Sequence, residues 1–256
     1  MPLRHVPEPA LVDLHPFART FAQSCVVEPV GDELGAGVAV AVFDLAPWLP
    51  LPGDIDALIG AAAAQRAARQ RIPANRDALR ASYALQRLWI ARVLGRAPAG
   101  VEILRDDKGR PHLADPRLHT SLSHADGRVA LALTATGPVG IDLEPAARAS
   151  AMHELEERVT HPGERAGLPA APDARARALL ELWVRKEALL KAAGIGLELE
   201  MDRFAAPEAT PLPLPGTRFA GRWVEVRAVD AGEAWVMAVA AAPGAALRVG
   251  ERPVTR

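Results

Sequence analysis

Asp142 and Glu144 lie two residues apart in the run Val139-Gly140-Ile141-Asp142-Leu143-Glu144. In an extended strand successive side chains point to opposite faces, so Val139, Ile141 and Leu143 take one face and Gly140, Asp142 and Glu144 the other. Two carboxylates side by side offer hard oxygen ligands to a divalent cation. Taken alone, the same six residues also fit a half-exposed strand with a solvated acidic end.

A third carboxylate stands out in Leu179-Leu180-Glu181-Leu182-Trp183-Val184-Arg185-Lys186-Glu187-Ala188-Leu189-Leu190-Lys191. At ~100° per residue, Glu187 falls roughly 40° from Trp183, on the stripe that carries Leu179, Leu180 and Leu190. A carboxylate on an apolar face loses hydration unless it is paired or binds a cation. Lys191, one turn further, is either its i,i+4 ion-pair partner or a second group aimed at a shared anion. Glu181 and Arg185 make a similar pair on the opposite, solvated face.

Together, Asp142, Glu144 and Glu187 would supply oxygen ligands for magnesium, with water and a substrate phosphate completing the octahedron and Lys191 directed at the same phosphates. A divalent ion and a lysine around a pyrophosphate suit phosphoryl chemistry, where positioning and charge neutralisation do most of the catalysis. Ser123 and His124, in Leu122-Ser123-His124-Ala125, can add a hydroxyl donor and an imidazolium, although a turn histidine without a ligand reads the same way. Arg110 in Gly109-Arg110-Pro111 would add a further cation.

The elements that must hold these residues follow from apolar periods and breakers. Strands are expected over Val38–Phe43, Thr120–His124, Val129–Thr134, Val139–Glu144, Arg222–Val229 and Ala234–Ala240. Helices are expected over Ile55–Arg71, capped by Asp54, and over Arg76–Leu94, capped by Asn75 and closed by Gly95. Two more are expected over Ala151–Arg158 and over Asp173–Ala193, the last stopped by Gly194. On the second helix Arg76, Arg80 and Arg87 share one stripe. Residues 1–36 show no sustained period, and Pro207–Pro215 reads as a surface loop. Strand, helix and strands recur in each part of the chain, which predicts an α+β fold of two similar halves, residues 1–137 and 138–256.

With 256 residues, half of them apolar, the chain can bury a substantial core. A single cysteine excludes an internal disulfide and a thiolate metal cage. Acidic and basic residues nearly cancel, 31 against 30, which gives no global attraction to nucleic acid or anionic lipid. No apolar run approaches the ~20 residues of a membrane span, and the stretch to Phe17 is no signal peptide. A soluble, cytoplasmic monomer is expected.

In order and spacing, Gly109-Arg110-Pro111, Ser121-Leu122-Ser123-His124, Gly140-Ile141-Asp142-Leu143-Glu144 and Trp183-Val184-Arg185-Lys186-Glu187-Ala188-Leu189-Leu190-Lys191 resemble the phosphopantetheinyl transferase superfamily. The likeness is to its larger, two-half type, which serves peptide and polyketide synthases. It spans about residues 66 to 204, with Gly194-Ile195-Gly196-Leu197 as a familiar continuation. Ser121 stands where the family often has asparagine.

The resemblance implies two α+β halves with the pseudo-twofold cleft between them binding coenzyme A. It makes Asp142, Glu144 and Glu187 magnesium ligands, puts Lys191 on the pyrophosphate and assigns Ser123 and His124 to coenzyme A phosphates, His124 to the 3′-phosphate. Arg110, and Arg80 foremost in its stripe, would be further coenzyme A contacts. The implied reaction is attack of a carrier-protein serine on the β-phosphate of coenzyme A, releasing adenosine 3′,5′-bisphosphate, with Glu187 taking the proton directly or through a metal-bound water. The partner would be an apo acyl or peptidyl carrier protein, generally acidic, with Arg148, Arg158 and Arg165 as candidate contacts. The rivals are a coenzyme A- or carrier-binding protein without catalysis and a magnesium phosphohydrolase.

Overall fold

A computed structural model describes residues 15–25, 34–50, 55–106, 109–214 and 221–250. The chain divides into two compact units, one drawn from 1–32 and 45–102, the other from 33–44 and 103–252. These units follow compactness, whereas a division into similar halves at 137/138 concerns internal likeness.

The first unit is helical: α1 Pro16–Ser24, α2 Ile55–Ile59, α3 Ala61–Ala68 and α4 Pro73–Val93. Helix α1 lies where no period was legible, because a single i,i+4 pair, Phe17 and Phe21, carries its buried face. Both rings pack on Trp48, with centroids 5.1 and 6.1 Å away. The expected continuous helix over Ile55–Arg71 is instead α2 and α3, broken at Gly60, whose φ of +84° suits a residue without a Cβ. Asp54, its expected cap, lies outside the described residues. Helix α4 begins at Pro73, where a missing N–H costs nothing, so Asn75 is inside the helix and does not cap it.

The arginine stripe on α4 holds α2. Arg80 Nε donates to Asp56 Oδ1 at 2.7 Å, and Arg87 Nη1 donates to the Leu58 carbonyl at 3.0 Å. Burial holds the Arg87 pKa below its usual value, with Glu102 pulling it back up.

The second unit carries the sheets. Strands β1 Gly37–Asp44, β4 His119–Ala125, β5 Arg128–Thr134 and β10 Ala246–Val249 form one sheet in the order β10-β1-β5-β4, with β10 parallel to β1 and the other pairs antiparallel. Strands β2 Ile103–Arg105 and β3 Pro111–Leu113 make a small antiparallel pair. Strands β6 Gly140–Pro145, β7 Leu212–Pro213, β8 Trp223–Ala228 and β9 Trp235–Ala241 form an antiparallel sheet in the order β6-β9-β8-β7. Leu212 and Pro213, read from sequence as loop, thus supply a two-residue edge strand, a position that tolerates proline.

The mixed α+β class is as expected, and one connectivity occurs twice. In each sheet a first strand (β1, β6) pairs antiparallel with the second arm of a later hairpin (β5, β9), whose first arm (β4, β8) follows it in the sheet.

Residues 146–155 are 3-10 helix, followed by α5 Glu156–Val159, α6 Pro162–Arg165 and the long α7 Pro172–Ala193. The helix expected over Ala151–Arg158 is therefore mostly 3-10: only Met152 is buried within 146–155, so no apolar stripe favours a regular α turn. One core joins Val38, Val40, Ala130 and Ala132 of the first sheet to Val139, Ile141, Leu143, Met237 and Val239 of the second. A second core packs Leu179, Leu180, Leu189 and Leu190 of α7 against Val224, Val226, Val236, Ala238 and Ala240.

Candidate active site

The site begins with a glycine. The alternation of β6 sends Val139, Ile141 and Leu143 into the core between the sheets and turns Gly140 and Asp142 towards α7. A Cβ on Gly140 would collide with the Ala188 carbonyl and stand 2.6 Å from the Ala192 nitrogen. Helix α7 therefore lies backbone-close on β6 and brings Glu187 and Lys191 to the acidic face of the strand. Gly194, left-handed at φ +71°, closes α7 with its N–H on the Leu190 and Lys191 carbonyls.

The other wall is β4, the end strand of its sheet as β6 is of its own. Two hydroxyls on one face of β4 join these ends. Ser121 Oγ accepts the Ile141 N–H at 3.2 Å, and Ser123 Oγ donates to Asp142 Oδ1 at 2.8 Å. Ser121 thus serves the strand junction, so the family-divergent residue is spent on β6 rather than on His124.

The charges interlock around Asp142, whose side chain is only 5% exposed. Lys191 Nζ donates to Asp142 Oδ1 at 2.7 Å and to Ser123 Oγ at 2.9 Å. Lys191 is consequently not the ion-pair partner of Glu187 that helical spacing allowed. Glu144 accepts from Arg148 Nη1 at 2.5 Å, and the Arg148 guanidinium lies over the Trp183 ring, 5.0 Å from its centroid. Arg148, a candidate carrier contact by sequence, belongs to the site itself.

Glu187 makes no hydrogen bond or ion pair among the described residues. Burial, then the charge of Asp142, pushes its pKa up to about 7, with Glu144 adding to the rise and Lys191 and Arg148 pulling back. Burial likewise raises Glu144, reinforced by Asp142 and opposed by Arg148 and Lys191. Three carboxylates thus share one field, and the least compensated is the one suited to hold or release a proton near neutrality.

Solvent reaches the His124 side chain, which the β4 alternation turns away from Ser123. The protein packed around the ring and the nearby Lys191 charge hold its pKa below the usual imidazole value. Arg110 is tied into its turn by its N–H on Asp106 Oδ1 at 2.9 Å, and its charge, with that of Arg222, helps burial depress His119. Arg80 belongs to the other unit, on Asp56.

One sequence reading of α7 is corrected, and one residue it left unassigned gains a role. Glu181 accepts from Arg177 at 2.8 Å, while Arg185 donates to the Ala206 carbonyl at 3.0 Å, so the expected Glu181–Arg185 pair is absent. Lys186, unassigned by sequence, is fully buried: its ammonium donates to the carbonyls of Val159, Met201 and Phe204 at 2.7–2.8 Å and to Glu164 Oε2 at 2.7 Å. Desolvation pulls its pKa down against the pull of Glu164. Glu164 also accepts the Ala206 and His161 N–H groups, so Lys186 ties α5, α6 and the segment 201–204 to α7 beside Glu187. A buried position next to the acidic one was the only signal of this role in the sequence.

Among the described residues, no three His, Cys, Asp or Glu side chains converge closely enough to grip a metal ion as they stand. Lys191 and Arg148 occupy one oxygen each of Asp142 and Glu144. The donor set nonetheless fits a hard cation: Asp142 Oδ2 is buried without a partner, and the charge of Asp142 raises the pKa values of Glu187 and Glu144. No helix among the described residues is long and apolar enough to cross a membrane.

Residues 138–239, which hold β6 and α7, match the family model of the 4′-phosphopantetheinyl transferase superfamily. A 4′-phosphopantetheinyl transferase of Bacillus subtilis is 30% identical over 158 residues, 60% of this chain and 69% of that protein. The 4′-phosphopantetheinyl transferase HetI of Nostoc is 30% identical over 167 residues, 63% of this chain and 70% of the relative. The 4′-phosphopantetheinyl transferase AcpT of Salmonella typhi is 32% identical over 117 residues, 45% and 59% of the two chains.

Proposed function

We propose, since this chain belongs to the 4′-phosphopantetheinyl transferase superfamily, that the site between β4, β6 and α7 moves the phosphopantetheine arm of coenzyme A onto a serine of an apo carrier protein. The observation that carries this reading is the trio Asp142, Glu144 and Glu187 beside Lys191 and Ser123. Acid, cation and hydroxyl donor meet there at one point.

In the reaction the serine Oγ bonds to the β-phosphorus of coenzyme A. The bond from that phosphorus to the bridging oxygen breaks, and adenosine 3′,5′-bisphosphate leaves with the electron pair. Glu187 takes the hydroxyl proton, directly or through a bound water. Lys191 and Ser123 turn from Asp142 to the pyrophosphate oxygens and hold them in line. His124 receives the 3′-phosphate and gains a proton with it. Arg110, and Arg80 from the helical unit, are further cations for coenzyme A. Asp142, Glu144 and Glu187 would hold magnesium, which when bound neutralises the charge on the pyrophosphate.

The doubled strand connectivity supports two halves related by a pseudo-twofold, 1–137 and 138–256, with the acceptor entering where they meet. Arg158 and Arg165, both exposed, face an acidic carrier. The protein is read as a cytoplasmic monomer, without a nucleic-acid or membrane partner.

Mass spectrometry decides the reading. An apo carrier protein incubated with the chain, coenzyme A and magnesium gains one phosphopantetheine, and loses that gain when Glu187→Gln replaces the wild type. Binding of coenzyme A and carrier without any mass gain across acyl and peptidyl carriers would sink it. Release of free phosphate or phosphopantetheine without a carrier would point to a hydrolase instead.

A further inference from the structure

We propose that Arg148 is a resident counter-ion that a divalent cation must displace from Glu144, and hence a positioning residue of the site. The inference rests on the reading of Asp142, Glu144 and Glu187 as the metal-holding trio. Its evidence is the geometry around Arg148.

Each of the two strand carboxylates has a cation of its own. Lys191 lies on Asp142 and also reaches Ser123, so its ammonium is held by two groups of the site. Arg148 lies on Glu144 at 2.5 Å, and its guanidinium plane is supported by the Trp183 ring. That ring comes from α7, one turn before Glu187, so the platform under Arg148 is anchored in the helix that supplies the third carboxylate. A stacked, planar guanidinium is pre-organised and loses little entropy on pairing. It fixes the orientation of Glu144, whose side chain is only 14% exposed, and compensates its charge while the site holds no ion.

The same contact opposes the metal. A divalent cation that takes the paired oxygen of Glu144 must break a charge-assisted bond and accept a positive neighbour. Arg148 therefore couples negatively to the ion, and the two exchange places on Glu144. Set free from Glu144, the guanidinium shifts its contact with the Trp183 ring, so metal entry is registered at the indole.

The test is titration of magnesium chloride into the metal-stripped 256-residue chain, followed by heat and by tryptophan fluorescence. Wild type, Arg148→Met, Arg148→Lys and Trp183→Phe are compared. Removal of the counter-ion in Arg148→Met tightens magnesium binding by about tenfold, within the usual range of site-to-site coupling. Arg148→Lys, which keeps the charge, stays within about threefold of wild type. Magnesium changes the emission of wild type, and Trp183→Phe and Arg148→Met lose that change. Magnesium binding by Arg148→Met that is equal to or weaker than wild type overturns the proposal, as does an emission change that survives Trp183→Phe. If magnesium gives no heat with wild type or any variant, the metal assignment falls and this proposal with it. If wild type binds magnesium and transfers the arm while Arg148→Met binds no tighter, only the counter-ion role is lost.

Discussion

Gly140 on β6 faces the Ala188 carbonyl of α7 with no room for a methyl group between them. The place of Glu187 beside Asp142 depends on that approach. Gly140→Ala must push the helix off the strand or strain both. Its backbone neighbours cannot yield as a flexible side chain would, so a loss of about 3 kcal/mol is expected. Chemical denaturation measures the loss. A variant as stable as wild type with full transfer activity would show that the helix can shift freely.

Glu187→Gln removes the group placed to take the serine proton while keeping its shape. Turnover should fall by about a hundredfold or more with the fold intact. Single-turnover transfer to an apo carrier, with circular dichroism as the control on folding, measures it.

The same residue makes metal-free stability depend on pH. Its folded pKa of about 7 lies above its ordinary value of 4.5, so the folded state holds the proton more tightly than the unfolded chain does. This contribution is full below about pH 4.5 and is lost as pH rises through 7, amounting to something on the order of 2 kcal/mol. Glu144, raised for the same reason, acts in the same direction. Melting temperatures in chelator should therefore decline over this window, and the decline should flatten in Glu187→Gln. An equal slope in both proteins would assign the effect to other groups.

His124 should make coenzyme A binding stronger in acid. Its lowered pKa leaves the ring neutral near pH 7, so an incoming phosphate must draw a proton in with it. Affinity for adenosine 3′,5′-bisphosphate should rise as pH falls from 7.5 towards 6, and His124→Ala should lose most of that gradient. Calorimetry in two buffers of different ionisation enthalpy reads the proton uptake directly.

Lys186→Met deletes the ammonium that four oxygens surround, leaving the charge of Glu164 without its counter-ion and three carbonyls without that donor in a buried space. A destabilisation of about 3–5 kcal/mol is expected, the usual result of breaking a buried pair by removing one partner. Thermal melts check it. The double variant with Glu164→Gln should be less destabilised than the two single losses summed, because the second change relieves the stranded carboxylate.

The six longer strands and α7 were legible because alternation and helical stripes mark buried faces directly, whereas β2, β3, β7 and β10, of two to four residues, are too short to show an alternation. Asp142 and Glu144 could be placed on one side of β6 from a six-residue pattern alone. The partners of the charges were not legible. Helical spacing offered Lys191 to Glu187 and Arg185 to Glu181, but tertiary neighbours at Asp142 and Ala206 took Lys191 and Arg185, while Glu181 pairs one turn back with Arg177 on the open face of the helix. Arg148 could not be assigned because the 3-10 geometry of 146–155 that directs it to Glu144 has no apolar period. Helix α1 failed for a related reason: two phenylalanines do not make a stripe.

The two serines on β4 have a consequence beyond the site. Strand ends of sheets carry unpaired amides and carbonyls that can recruit other chains into aggregates. By abutting β4 and β6, the Ser121 and Ser123 bonds turn one end of each sheet inward. The ends left over are β10, of four residues, and β7, of two, one of them proline. Short and interrupted ends are poor templates for pairing, so the junction that assembles the chemistry leaves these two sheets little edge for another strand to extend.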